Sequence, residues 1–99
     1  LQELLRQFPE SDHAPNAQFY IAQSYDREKN LDAADAAYAA VVSKYPDADR
    51  APTALYKRAG IAQQKGNNDE ARRLANEVLT RYPKSDEAVL VPDFLKNLK

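Results

Sequence analysis

A repeat of 37 residues runs through the 99-residue chain and limits the folds that it can adopt. An aromatic residue is followed by proline three times, at Phe8-Pro9, Tyr45-Pro46 and Tyr82-Pro83. Residues 9–45 and 46–82 are identical at 11 of 37 positions. A period of this length is typical of solenoids, in which each repeat is one small unit that buries its apolar face against its neighbours.

The first half of each repeat is predicted to be a helix, here called helix A. Asp12 and Asp49 are the expected N-caps, because a carboxylate there accepts hydrogen bonds from the orphan N–H groups of the first turn. Pro15 and Pro52 fall in that turn, where a missing N–H does no harm. The chain also has 17 alanines against two glycines, and this composition favours helices.

The second half of each repeat is predicted to be a second helix, helix B, after a break at Lys29-Asn30 and at Gly66-Asn67. The two asparagines are the expected N-caps, and Asn67 with Glu70 resembles a capping box. Helix B should end before Pro46 and Pro83, because the residue before a proline is pushed out of α geometry. Apolar residues at i, i+4, i+7 and i+8 predict one buried stripe on each helix B. The stripe consists of Ala34, Tyr38, Val41, Val42 and Tyr45, and then of Ala71, Ala75, Val78, Leu79 and Tyr82.

The two ends of the chain are predicted to be incomplete repeats within one domain, 1–99. Residues 1–8 have the phase of the end of a helix B, residues 9–45 and 46–82 are complete repeats, and residues 83–99 are a partial repeat or capping helix. By phase a third helix A starts at Asp86. Either a short turn is followed by a new helix from Pro92, or one helix bends at this proline. The expected buried face of this segment is Phe94, Leu95 and Leu98.

Composition excludes several classes of protein. The chain has 14 Lys+Arg and 15 Asp+Glu, so it lacks the basic excess of a nucleic-acid-binding domain. No run approaches the roughly 18–20 apolar residues of a membrane span. The absence of cysteine excludes disulfides, thiolate metal sites and a cysteine nucleophile. A chain that begins with Leu and contains no Met is expected to be part of a longer or processed protein.

No arrangement of side chains indicates catalysis. His13 is the one histidine and lies beside an expected helix cap, where an exposed side chain is the ordinary outcome. Ser11 and Ser24 have no base at a recognisable spacing. Two glycines are too few for a glycine-rich phosphate loop. The chain is therefore expected to be no enzyme and to bind no cofactor or metal.

When Pro15 is counted as position 1 of a repeat, small residues fall at positions 8 and 20 and proline falls at position 32. These residues are Ala22, Ala34 and Pro46 in the first copy and Ala59, Ala71 and Pro83 in the second. The pattern resembles the tetratricopeptide repeat. The resemblance implies an all-α solenoid of about two and a half repeats, built from antiparallel helix hairpins that wind into a right-handed superhelix.

A block of aromatic-Pro-x-[Ser/Ala]-Asp followed closely by Ala occurs three times between residues 8 and 88. This block and the small-residue helices are similar to the C-terminal domain of the YbgF/CpoB proteins of the Tol–Pal system. The resemblance implies a periplasmic protein with a trimeric N-terminal coiled coil that binds the inner-membrane protein TolA. It also implies a role in coordinating peptidoglycan synthesis with outer-membrane constriction during cell division. Outer-membrane assembly lipoproteins of the BamD type share much of the block and are the alternative.

The resemblance implies a concave face, lined mainly by helices A, as the site of a protein partner. The candidate site residues are Asn16, Phe19, Tyr20, Gln23 and Arg27 on the first helix A and Tyr56, Lys57 and Gln64 on the second. The same repeat positions also hold Asp26, Thr53, Gly60 and Gln63. Rings offer contact area, amides pair with a peptide backbone, and Arg27 and Lys57 select charge. In the alternative interpretation, Phe19 and Tyr56 pack against neighbouring helices and the polar residues only face water.

A second hypothesis is self-association through the ends of the chain. Two complete repeats are fewer than the three or so that a solenoid usually needs. Leu1, Leu4, Leu5 and Phe8 lack a preceding helix A, and the apolar residues after Pro92 face outward unless the last helix folds back. Such ends favour stacking or helix exchange between copies, which makes a homo-oligomer the alternative assembly.

Overall fold

The computed structural model describes residues 13–98, with side chains described from Pro15 onward. Within this range the chain forms five helices and no strand. They are α1 (His13–Arg27), α2 (Leu31–Lys44), α3 (Arg50–Gln64), α4 (Asn68–Arg81) and α5 (Asp86–Asn97). The predicted all-α solenoid is confirmed, with α1, α3 and α5 as helices A and α2 and α4 as helices B. The predicted helix end at residues 1–8 and the cap at Asp12 lie outside the described residues.

The helices form two layers. α1 packs against α2 and α3 against α4, so each of these pairs is a hairpin of neighbouring helices. α2 also contacts α3 and α4 contacts α5, which joins each hairpin to the next helix A. α1 contacts α3 and α3 contacts α5, so the helices A lie side by side in one layer. The helices B form the other layer.

The turn between helix A and helix B has the same backbone in both repeats. Lys29 has φ 64° and Gly66, 37 residues later, has φ 82°. The next N–H donates to a carbonyl five residues back, from Asn30 to Tyr25 over 2.9 Å and from Asn67 to Ala62 over 2.8 Å. This left-handed helix ending satisfies carbonyl groups that the helix leaves free. Both predicted breaks are confirmed.

The caps of helix B differ between the repeats. The Asn67 side chain accepts a hydrogen bond from the Glu70 N–H at 3.3 Å, so this cap is confirmed. Asn30 occupies the same place before α2 but makes no side-chain cap hydrogen bond. The capping box is only half formed, because the Asn67 N–H donates to the Ala62 carbonyl and not to Glu70. The Glu70 carboxylate instead accepts two hydrogen bonds from Arg73, each at 2.7 Å.

The caps of helix A differ as well. Asp49 precedes α3 without a side-chain cap hydrogen bond, because its own backbone is already helical (φ −58°, ψ −29°). α5 begins at Asp86, as the repeat phase predicts, but the capping oxygen belongs to Ser85. The Ser85 hydroxyl oxygen accepts a hydrogen bond from the Ala88 N–H at 3.1 Å and its O–H donates to the Tyr82 carbonyl at 2.7 Å.

The core lies between the two layers and follows the predicted stripe closely. Buried stripe residues are Ala34, Tyr38, Val41 and Val42 on α2 and Ala71, Ala75 and Val78 on α4. Tyr45 and Tyr82 are half-buried as the C-caps of these helices. The prediction for Leu79 is wrong, because it lies on the outer side of α4 and is 37% exposed. Leu74 is buried in its stead, on the turn that faces α3.

The last segment is one helix. α5 continues through Pro92, so the alternative of a short turn followed by a new helix is wrong. Proline forfeits one backbone hydrogen bond inside a helix, but its fixed φ is compatible with helical geometry, and here the residue is exposed. Phe94, Leu95 and Leu98 pack against the core and are partly buried, which agrees with the predicted face.

Candidate partner-binding face

Arg50, the first residue of α3, joins α3 to α1. Its Nε donates to Asn16 Oδ1 at 2.9 Å and its Nη2 donates to Tyr20 Oη at 3.4 Å. The guanidinium carbon lies 4.8 Å from the ring centroid of Phe19 and 5.6 Å from that of Tyr20. A guanidinium over a ring face is attracted by the ring quadrupole. Arg50 therefore orients the exposed side of α1 at this junction.

The next junction between helices A uses the same register with different chemistry. Thr53 Oγ1 donates to Glu87 Oε2 at 2.6 Å. The two partners are 34 residues apart, as Asn16 and Arg50 are, and each lies 37 residues after its counterpart. The Tyr56 and Phe94 rings also meet between α3 and α5, with centroids 5.6 Å apart. Residues 37 apart on α1, α3 and α5 therefore lie on one continuous surface of these three helices, which we call the A face.

The A face carries most of the predicted site residues on its surface. Tyr20 is 54% exposed, and Arg27, Lys57 and Gln64 are exposed as well. Asn16, Gln23 and Tyr56 are half-buried. These seven residues occupy two adjacent helices, α1 and α3. Their role in binding a partner stays a prediction.

Phe19 is the exception among the predicted site residues. Its side chain is only 2% exposed, with its ring 5.5 Å from that of Tyr38 on α2 and Arg50 above it. Phe19 points into the contact between α1 and α2 and offers no ring to a partner. The alternative interpretation, in which this ring packs against a neighbouring helix, describes what the structure shows. Tyr56 also makes such a contact through Phe94 but keeps part of its surface free.

Sequence reasoning missed three residues of this face, which are Arg50, Glu87 and Phe94. Arg50 and Glu87 share one repeat position, directly after the aspartate of the repeated block. Charged residues of opposite sign at a shared position could have indicated a polar contact between repeats. Phe94 falls at the repeat position of Tyr20 and Lys57, but its place after Pro92 led to a prediction of burial alone.

The A face has exposed positive charge. The ion pairs of residues 13–98 lie within α4 or join α2 to α3, as in Asp35–Arg58 at 2.8 Å and Asp32–Lys65 at 2.6 Å. Arg27 and Lys57 form none of them. Asp26 and Glu28 flank Arg27 in the sequence, and the Asp26 carboxylate accepts a hydrogen bond from the Tyr38 hydroxyl at 3.5 Å. Burial, together with this carboxylate, raises the pKa of Tyr38 to about 12.

The described part of the chain holds no cluster of side chains that could form a metal centre. Within residues 13–98 no three His, Cys, Asp or Glu side chains come together as a metal site would require. A helix both long and apolar enough to span a bilayer is likewise not found there. The chemistry of the A face is that of a binding surface, with aromatic area, amide groups and cations.

The family assignment rests on the repeat itself. A model of the tetratricopeptide repeat matches residues 16–48 and again residues 53–85, with the second match beginning 37 residues after the first. The chain belongs to the tetratricopeptide repeat family. Its two matched repeats cover α1 with α2 and α3 with α4 except for the first three residues of α1 and of α3, so each matched repeat corresponds to one hairpin of the structure. No curated protein matches the chain.

Proposed function

We propose that this tetratricopeptide domain binds an extended segment of a protein partner on its A face. Tetratricopeptide repeats act as protein–protein interaction modules, and the family match supports such a role for this domain. The observation that carries the proposal is the surface of α1 and α3. There Tyr20 is exposed and tied to Arg50, and the same two helices carry two exposed cations, Arg27 and Lys57, that form no ion pair within residues 13–98. An aromatic ring that a neighbouring side chain already holds in place loses little side-chain entropy when a partner binds. A charge without an ion-pair partner is free to contact an opposite charge on that partner.

We further propose that the partner is TolA or a similar envelope protein and that the domain acts in the periplasm, within the Tol–Pal system during cell division. The repeated aromatic-Pro-x-[Ser/Ala]-Asp block supports this assignment, because it is similar to that of the YbgF/CpoB family. The same block occurs in assembly lipoproteins of the BamD type, which are the alternative family.

Titration calorimetry of the domain with the periplasmic region of TolA tests the partner. We expect saturable binding that the double variant Tyr20→Ala, Lys57→Ala weakens by at least about 1 kcal/mol, or fivefold in Kd. Lys44→Ala is the matched control, because Lys44 is an exposed lysine of α2, in the other layer, and forms no ion pair in the part of the chain that the structure describes.

Two results would contradict the proposal in different ways. A folded domain that shows no binding at millimolar TolA excludes TolA as the partner. Equal affinities of the double variant and the unmodified domain would place the contact away from the A face.

Self-association is the second candidate function, and the exposed apolar residues of α5 favour it. Val89 is 76% exposed and Leu90 is 49% exposed. In α3 the equivalent residues are Pro52, which is buried, and Thr53, which bonds to Glu87. Light scattering over a hundredfold range of concentration tests this hypothesis. A strict monomer throughout would reject it, and an oligomer that Leu90→Glu dissociates would support it.

A further inference from the structure

Gly60 is a glycine inside a helix that the fold does not need. It is the eleventh of the 15 residues of α3, between the buried Ala59 and Ile61. A Cβ built on Gly60 would meet no atom within 4 Å. The chain's other glycine, Gly66, has an evident role, because it adopts φ 82° in the turn after α3. Gly60 has no such backbone and makes no close helix contact.

A glycine at this position lowers the stability of the helix, and no close packing contact compensates for the loss. Glycine inside a helix is less favourable than alanine, because the unfolded chain has more conformations to lose. The first repeat shows that helix A accepts a long side chain there, because Gln23 occupies the same repeat position in α1. A residue that goes against local helix propensity while the fold gains nothing from it is expected to lie at a functional site.

Gly60 lies on the A face. Lys57 and Tyr56 lie one helical turn before it, and Gln64 lies one turn after it. Tyr56 fixes the direction of this face, because its ring contacts Phe94 of α5. Gly60 itself is half-exposed. The missing side chain therefore leaves the main chain of α3 uncovered at Gly60, one helical turn from an aromatic ring, an ammonium group and an amide.

We infer that Gly60 is the point at which the main chain of an extended, acidic partner segment lies directly on α3. Because glycine has no side chain, another backbone can approach the helix more closely at Gly60 than at a residue with a Cβ. The side-chain amides of Gln64 and of Gln23 on the adjacent α1 can pair with a partner's N–H and C=O groups. Arg27 and Lys57, which form no ion pair with any described residue, supply the charge that an acidic segment complements. The inference rests on the proposed function and deepens it.

The test uses peptides of 12 residues selected against the unmodified domain from a randomised phage-displayed library. Gly60→Ala and Gly60→Gln are compared with Ala36→Gln, which adds the same side chain at an exposed position of α2. We expect Gly60→Ala to raise Tm by about 2–8 °C, because it removes the cost of a helical glycine and meets open space. We expect Gly60→Gln to raise the Kd of the selected peptides at least about tenfold and Ala36→Gln to leave it within about twofold. The selected peptides should contain more Asp and Glu than Lys and Arg.

Each alternative outcome has a definite meaning. If Gly60→Gln binds as tightly as the unmodified domain while Tyr20→Ala with Lys57→Ala binds weakly, the inference fails and the proposed function stands. If no A-face variant changes the affinity, both fail. A Tm lowered by Gly60→Ala would show that the glycine serves the fold and would overturn the inference. Selected peptides with a positive net charge would contradict the inference that the partner segment is acidic.

Discussion

A few side-chain hydrogen bonds connect one repeat to the next. The hydroxyl of Tyr82, at the end of α4, donates to the Pro46 carbonyl at 2.8 Å. This bond gives the repeated aromatic-proline pair a structural role, because the phenol that ends one helix B satisfies the carbonyl of the proline that follows the preceding helix B. The phenol is required for this contact and the ring alone is insufficient.

Tyr82→Phe is therefore expected to lower the free energy of unfolding by about 0.5–1.5 kcal/mol, since it removes one hydrogen bond and leaves the ring. Urea denaturation measures the change. Tyr25→Phe is the matched control, because Tyr25 is 37% exposed and its hydroxyl makes no hydrogen bond within the described residues. Equal stability of the two variants would contradict the role given to the Tyr82 hydroxyl.

Tyr38 makes stability depend on alkaline pH. Its folded-state pKa is raised to about 12, first by burial and then by Asp26, against an ordinary value of 10.0. The unfolded chain releases this proton near pH 10, whereas the folded chain keeps it until about pH 12. The unfolded state thus binds fewer protons between these values, and stability falls as pH rises through this window.

Tyr38→Phe is expected to remove this part of the pH dependence. The free energy of unfolding of the variant should fall less steeply than that of the unmodified domain between pH 10 and pH 12. Urea denaturation at pH 8, 10 and 11 provides the comparison. Parallel losses in the two proteins would show that the buried phenol does not contribute.

At the scale of the helices, the caps are not interchangeable. The Ser85 hydroxyl caps α5 and also bonds to the Tyr82 carbonyl, whereas Asp49 precedes α3 without a side-chain cap bond.

The contacts between neighbouring helices also differ from one repeat to the next. Arg58 pairs with Asp35 at the junction of α2 and α3, but 37 residues later Leu95 occupies its position and packs against the core. At this repeat position α5 is therefore attached by an apolar contact where α3 uses an ion pair.

Ser85→Ala is expected to lower the free energy of unfolding by about 0.5–2 kcal/mol, because the Ala88 N–H loses its acceptor. Asp49→Ala is the matched control and should cost less than Ser85→Ala. Thermal and urea denaturation of both variants measure the difference. A larger loss for Asp49→Ala would show that the aspartate, rather than the serine, sets the start of helix A.

The whole molecule is not uniformly packed. α3 buries seven side chains between its neighbours, whereas α5 buries only Ala88 and Val91. α5 also contains Pro92, which removes one of its backbone hydrogen bonds. Segments with little buried apolar surface open at lower free energy than the core.

Amide hydrogen exchange should therefore show α5 opening before the rest of the domain. We expect the protection of residues 86–97 to lie well below that of residues 50–64. Tyr56→Ala should lower it further without an equal effect on α1, since this variant removes the ring contact with Phe94. Uniform protection across the five helices would instead indicate that α5 unfolds only with the whole domain.

Sequence alone determined the repeat, its two helices, the turns at Lys29 and Gly66, and most of the buried stripe. These features are local, since propensity, caps and apolar spacing act within a few turns of chain. Much of the candidate face followed too, because equivalent repeat positions occupy equivalent places in a solenoid. Only the tertiary structure decided that Phe19 is buried, that Leu79 is exposed and that Arg50 connects α1 to α3. Each of these depends on where a neighbouring helix crosses, and that distance and angle are set by the packing of side chains from both helices.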